Sequence, residues 1–134
     1  MRQRRKAMDP NTIDATSREI FRHLLNSRLW QEAKVIHTFL PQNTEPNTFF
    51  LVQEALQSKR RVQVPKVAGP SHLTHHWLED IKLFKKSLWG IPEIQDSAAS
   101  VADLSKINLV LVPGLAFSRK GARLGQGRGY YDRF

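Results

Sequence analysis

Five of the chain's seven glycines fall after Val112, at positions 114, 121, 125, 127 and 129, interspersed with Arg119, Lys120, Arg123 and Arg128. Glycine lets a backbone approach a ligand closely and turn its N–H groups inward, while arginine adds fixed positive charge. The combination suits phosphate. The spacing Gly125-x-Gly127-x-Gly129 is neither the P-loop, which closes on Gly-Lys-Ser/Thr, nor the dinucleotide fingerprint G-x-G-x-x-G, so spacing alone leaves a flexible glycine-rich turn as an equal reading. The flanking arginines and the Tyr130-Tyr131-Asp132 run shift the balance toward a site. Those three residues are expected to open a helix, whose N-terminal N–H groups also favour phosphate. Asp132 then offers a hard oxygen ligand for magnesium beside phosphate oxygens; its plain alternative is a first-turn carboxylate stabilising the helix dipole.

Other residues invite chemistry less strongly. His72, His75 and His76 match no zinc-ligand spacing, cysteine is absent, and His75 and His76 would point to opposite faces of a strand, so a metal reading is set aside. Tyr130 and Tyr131 could be ordinary packing aromatics, but their place directly after the glycines favours at least one facing a ligand.

The elements around the loop read as α/β. Asp9-Pro10 is a helix start, Asp as N-cap and Pro at the first helical position, followed by Ile13, Ile20, Phe21, Leu24 and Leu25 at helical spacing and fraying near Asn26-Ser27. Residues 33–40 are β-branched and apolar up to Pro41, a buried strand. A second helix is expected to enter at Thr44 to Pro46 and run to Ser58. Arg61 to Val67 alternates as a strand, with Pro65 near its end or on an edge. Strand, helix, strand argues for parallel pairing. Leu73 to Leu78 suits a further strand, Asp80 to Leu88 is ambiguous, and residues 91–106 read as loop with one helical turn. Ile107 to Val112 is apolar on both faces, as a central parallel strand should be. Without repeats or linkers, residues 1–134 are expected to form a single α/β domain: a three-layer Rossmann-like arrangement with a mostly parallel central sheet and flanking helices. Ligands in such sheets bind beyond the carboxyl ends of strands, which is where the glycine loop falls.

Composition bounds the class. At 40% hydrophobic and 25% charged the chain is ordinary for a globular protein, and no apolar run approaches the length needed to cross a bilayer. The basic N-terminus is not followed by the apolar stretch of a secretory signal. Twenty-one Lys and Arg against twelve Asp and Glu leave a formal charge of +9, favouring anionic partners. The basic clusters, at residues 2–6, 59–61, 82–86 and 119–133, lack the interleaved aromatics of a single-strand binding platform, so each is first a solvated surface.

Val112-Pro-Gly-Leu-Ala-Phe117 followed by Gly121-Ala-Arg-Leu-Gly-Gln-Gly-Arg-Gly-Tyr-Tyr-Asp-Arg133 resembles the signature of the 5-formyltetrahydrofolate cyclo-ligase (methenyltetrahydrofolate synthetase) family. Thr44-Glu-Pro-Asn-Thr48 resembles that family's Glu-x-x-Thr substrate segment. Val64-Pro65-Lys66, Trp89-Gly-Ile-Pro-Glu93 and a first helix with an arginine-rich approach and Ser17 extend the likeness from about Gln3 to Phe134. The resemblance implies ATP- and Mg2+-dependent conversion of 5-formyltetrahydrofolate to 5,10-methenyltetrahydrofolate, with release of ADP and phosphate. It implies ATP contacts from Arg123, Leu124, Gly125, Gln126, Gly127, Arg128, Gly129, Tyr130 and Tyr131. Leu40, Glu45 and Trp89 would bind the folate together with Gln126, Gly127, Arg128, Gly129 and Tyr130. Glu45 would accept paired hydrogen bonds from the pterin, Asp132 would hold magnesium, and Arg123 and Arg128 would stabilise the transferring phosphoryl group. Taken without the resemblance, Glu45 is a first-turn helix carboxylate and Trp89 a core or rim aromatic.

Ser118 stands where the family often has an acidic residue. The resemblance further implies a basic segment before Met1 and, beyond Phe134, more sheet and helix with a second acidic metal ligand. The chain is accordingly expected to lack a C-terminal part and to be weakly active or inactive alone, with a folate- or nucleotide-binding relative as the alternative function. The expected partners are 5-formyltetrahydrofolate, in some cases polyglutamylated, and ATP. No membrane or nucleic-acid partner is expected, and the chain is expected to be a cytoplasmic monomer.

Overall fold

The computed structural model describes residues 2–42, 44–70, 72–86, 92–94 and 102–134. After a short helix α1 (Arg2–Lys6), α2 (Pro10–Leu25) begins as its sequence dictates: Asp9 caps it, its carboxylate accepting from the Thr12 N–H at 3.1 Å, and Pro10 opens the first turn. Asn26 ends it. The buried stripe runs through Ser17 and Phe21, and Ile20, one step round the helix, is 45% exposed. Helix α3 (Arg28–Glu32), capped by Ser27, buries Trp30.

The expected βαβ unit is present. Strand β1 (Val35–Thr38) is buried throughout, α4 (Phe49–Gln57) crosses over, and β2 (Arg61–Val67) returns parallel to β1. Helix α4 starts later than the entry expected at Thr44 to Pro46. The residues before it are used to fasten the loop: the Thr48 hydroxyl donates to the Phe39 carbonyl at 2.8 Å, and the Asn47 N–H donates to the Ser17 hydroxyl at 2.8 Å. Leu51, Val52 and Ala55 of α4 are each 1% exposed against Phe21, Ile36, Val62, Val64 and Leu78. Each large aliphatic among them contributes about 1.5–3 kcal/mol by burial, an upper figure because the unfolded chain already hides some surface.

Strand β3 (Leu73–Leu78) pairs antiparallel with β2, and β6 (Leu109–Leu111) pairs parallel with β1, giving the order β3-β2-β1-β6. Two parallel pairings and one antiparallel make the sheet mostly parallel, with helices packed against it, as expected. Pro65 is tolerated inside β2 because the β1 ladder stops at Gln63, leaving no partner that needs its missing N–H. Strand β6 differs from the expected central position: among the described residues it lies at the sheet's edge, and Val110 is 36% exposed. Its register is pinned by Asn108, whose side-chain oxygen accepts from the Lys34 and Val35 N–H groups at 3.0 and 2.9 Å.

Two short hairpins complete the fold. Strands β4 (Phe84–Lys86) and β5 (Pro92–Ile94) pair antiparallel, so part of the stretch read as loop is extended; the 3₁₀ turn Leu104–Lys106 supplies the expected helical turn. Strands β7 (Ala116–Phe117) and β8 (Arg123–Leu124) form the second hairpin. Residues 130–132, expected to open a helix, form turns instead. Among the described residues no helix is long and apolar enough to cross a membrane.

Candidate active site at the carboxyl edge of the sheet

A cleft of about 530 Å3 opens beyond the carboxyl ends of the parallel strands. Its walls come from Phe39 and Leu40 after β1, residues 65–67 at the end of β2, Pro113 and Gly114 after β6, and the whole run 123–132. Leu40, Glu45, Gly114 and residues 123–132 therefore meet in one place, whereas Arg119, Lys120 and Gly121 do not line it. Trp89 lies outside the described residues. Sequence reasoning missed several of the walls: Gln42, Leu73 and Pro92 also line the cleft.

Glu45 is 8% exposed on the β1–α4 loop, which Ser17 and Thr48 hold in place. Its Oε2 accepts from the Gln42 N–H at 3.0 Å and its Oε1 from the Gln126 amide at 3.2 Å. Burial raises its pKa above the ordinary carboxylate value, opposed by the Gln42 N–H, by the charge of Arg5 and by the Gln126 amide. Two donors keep this buried carboxylate satisfied in the structure. It can exchange the Gln126 amide for ligand N–H groups without being stripped of partners.

The glycine loop adopts the backbone its composition allows. Gly127 and Gly129 have φ of +92° and +63°, while Arg128 between them does not enter the positive-φ region. Alternation of this kind turns successive N–H groups toward one side, as in an anion nest. Tyr130 ties the loop to the β2–β3 turn, its hydroxyl donating to the Gly69 carbonyl at 3.2 Å. The other end is held by Arg123, whose Nη1 donates to the Pro113 carbonyl at 3.2 Å and whose Nη2 pairs with Asp132. Arg128 is exposed, and its carbonyl accepts from Arg133 at 2.6 Å. Lys66, Arg123 and Arg128 face Glu45, Glu93 and Asp132 around the cleft, so the site offers both signs of charge.

Beneath Tyr131 the sheet carries a buried histidine that the sequence did not single out. His37, fully buried on β1, lies 2.9 Å through Nε2 from Nδ1 of His75. Phe134 covers both rings, with centroids 4.6 Å from His37 and 4.4 Å from His75. Burial and the neighbouring His75 push His37 down to about 3, so it is neutral. Burial, helped by the Glu45 carboxylate, raises the Tyr131 hydroxyl above its ordinary value, so it remains protonated. Of the other histidines considered, His76 engages Thr74 at 2.9 Å, and no group of three His, Asp or Glu among the described residues is placed to hold a metal ion. Asp132 is nonetheless 69% exposed at the cleft rim. One such carboxylate is enough for magnesium when phosphate oxygens and water complete the octahedron, so the residues present fit that ion.

The 5-formyltetrahydrofolate cyclo-ligase family model matches residues 1–134. A Caenorhabditis elegans protein named "Probable 5-formyltetrahydrofolate cyclo-ligase" is 32% identical over 86% of this chain and 59% of its own length. The 5-formyltetrahydrofolate cyclo-ligase of Mus musculus is 26% identical over 100% of this chain and 69% of its own. The solved structure of Aquifex aeolicus 5,10-methenyltetrahydrofolate synthetase superimposes with a TM-score of 0.80 at 24% identity, covering 98% of this chain and 66% of that one. A Mycoplasma pneumoniae 5,10-methenyltetrahydrofolate synthetase gives 0.70 at 20% identity, covering 98% and 70%. These two likenesses establish the fold. The chain spans about three fifths of the length of the first curated relatives it matches, 59% and 61%. With a family model matched over its whole length, the chain belongs to the 5-formyltetrahydrofolate cyclo-ligase family.

Proposed function

We propose that the cleft serves the ATP- and magnesium-dependent conversion of 5-formyltetrahydrofolate to 5,10-methenyltetrahydrofolate, with release of ADP and phosphate. The observation that carries this reading is the meeting of the buried Glu45 carboxylate with the glycine–arginine loop 123–132 in one cleft. The first suits the donor edge of a pterin, the second suits phosphate. The formyl oxygen attacks the γ-phosphorus and ADP leaves. The folate's own second nitrogen then attacks the activated carbon, closing the ring as phosphate departs and the nitrogen's proton passes to solvent. The protein supplies no nucleophile. It orients two anionic ligands and stabilises charge on the phosphoryl group, and positioning of this kind accounts for most of such catalysis.

Within that scheme Glu45 holds the folate ring, Leu40 packs beside it, and Gln126 stands at the junction of both ligands. Residues 123–131 cradle the triphosphate, Arg123 and Arg128 face the γ-phosphate, and Trp89 would wall the folate. Asp132 would hold Mg2+, which neutralises phosphate charge when bound. A binding-only role is the second reading, favoured by one observation: Asp132 is ion-paired to Arg123, so both would have to exchange partners for catalysis. Mixing the protein with 5-formyltetrahydrofolate and ATP–Mg2+ separates the two. Growth of the methenyl product's near-ultraviolet absorbance, dependent on both ligands, supports the enzyme; saturable binding without product supports the second reading, and neither binding nor product sinks both.

A further inference from the structure

Arg5, half-buried in α1, reaches two carbonyls distant in sequence. Its Nε donates to Thr44 at 3.1 Å and its Nη1 to Gly114 at 3.4 Å, across separations of 39 and 109 residues. Thr44 is the residue before Glu45. Gly114 follows Pro113, whose carbonyl accepts from Arg123, itself paired with Asp132. One guanidinium thus connects the wall that carries the recognition carboxylate to the wall that carries the glycine loop.

We infer that Arg5 is a positioning residue of the cleft, a clamp that sets the spacing between the Glu45 loop and the Pro113–Gly114 loop. This rests on the proposed function only for which ligands benefit. A guanidinium suits the task because its planar fork offers several donors in fixed directions, which an ammonium cannot reproduce. Its charge also attracts the Glu45 carboxylate, so the same side chain places that group and favours its ionised form. Arg5 does not itself line the cleft; it acts through the backbone of the two loops.

The test compares Arg5→Ala and Arg5→Lys with the wild-type chain. Amide hydrogen exchange is followed at Glu45, whose N–H donates to the Gln42 carbonyl, and at Leu115, whose N–H donates to the Leu124 carbonyl. The clamp predicts that Arg5→Ala speeds exchange at both amides about tenfold, the loss expected for one charge-assisted hydrogen bond, while α4 and β2 amides keep their rates. Arg5→Lys restores part of the protection. Affinity for 5-formyltetrahydrofolate is measured in parallel: Arg5→Ala weakens it about tenfold in the wild-type background, and adds little once Glu45 is Gln. Unchanged exchange at both loops, or a uniform acceleration through the sheet, overturns the clamp. If Glu45→Gln leaves the folate affinity unaltered while Arg5→Ala still loosens both loops, the clamp stands and the folate assignment falls.

Discussion

Replacing Gly127 with alanine isolates the backbone's part in the phosphate site. Gly127 has φ +92°, and a Cβ built there meets nothing within 4 Å, so alanine is resisted by conformation and not by a clash. Holding an L-residue in that region costs about 1–2 kcal/mol. If the bound state requires the present loop geometry, that cost appears in nucleotide affinity as a loss of about 5- to 30-fold. Gly121 provides a matched control: its φ is +84° and its Cβ position is equally open, but it sits at the tip of the β7–β8 hairpin, outside the cleft. Isothermal titration with ATP–Mg2+ should show the loss for Gly127→Ala and less than about a twofold change for Gly121→Ala. Equal losses in the two variants, or none in Gly127→Ala, would refute the claim that the loop binds phosphate through its own backbone.

Two further predictions concern stability. The buried His37 has its folded pKa lowered from 6.5 to about 3, so the unfolded chain takes up the proton first; stability present above about pH 6.5 is lost as pH falls, by about 1–2 kcal/mol between pH 6.5 and 5. Denaturant melts across that range should show the slope, and His37→Phe should reduce it, leaving the part due to His75 and His76, which burial also shifts down; an unchanged slope contradicts the assignment. Helix α4 closes through Lys59 at φ +60°, with the Lys59 N–H donating to Leu56 and the Arg60 N–H to Ala55, a Schellman arrangement that favours glycine. Lys59→Gly should therefore raise stability by about 0.5–1 kcal/mol, a rise of a few degrees in melting temperature, whereas a fall would show that the lysine side chain contributes more than its backbone strain costs.

The parts legible in the sequence are those governed by local rules. The Asp9-Pro10 cap, the βαβ pattern and the limits of β2 follow from capping chemistry and side-chain period, and the structure has them where those rules put them. The glycine–arginine loop was readable because its unusual composition is contiguous. Strand β6 was misjudged because an all-apolar run carries no information about how many neighbours it will find, and here β1 is its one partner among the described residues. The turn at Tyr130 and the late start of α4 depend on hydrogen bonds from elsewhere in the fold, as do the short strands β4 and β5 on each other. His37 was invisible as a site element for the same reason, its partner lying 38 residues away, and so were the contacts of Arg5, 39 and 109 residues away.

The central claim is that one cleft takes both a formylated folate and ATP, with Glu45 serving the first and the glycine loop the second. NMR titration of the chain with 5-formyltetrahydrofolate, before and after saturation with ATP–Mg2+, tests it most directly. The account predicts saturable shifts at Glu45 and Gln126 for the folate and at residues 123–131 for the nucleotide, with Glu45→Gln abolishing only the folate response. Saturable binding elsewhere on the surface, or no binding of either ligand, would contradict it.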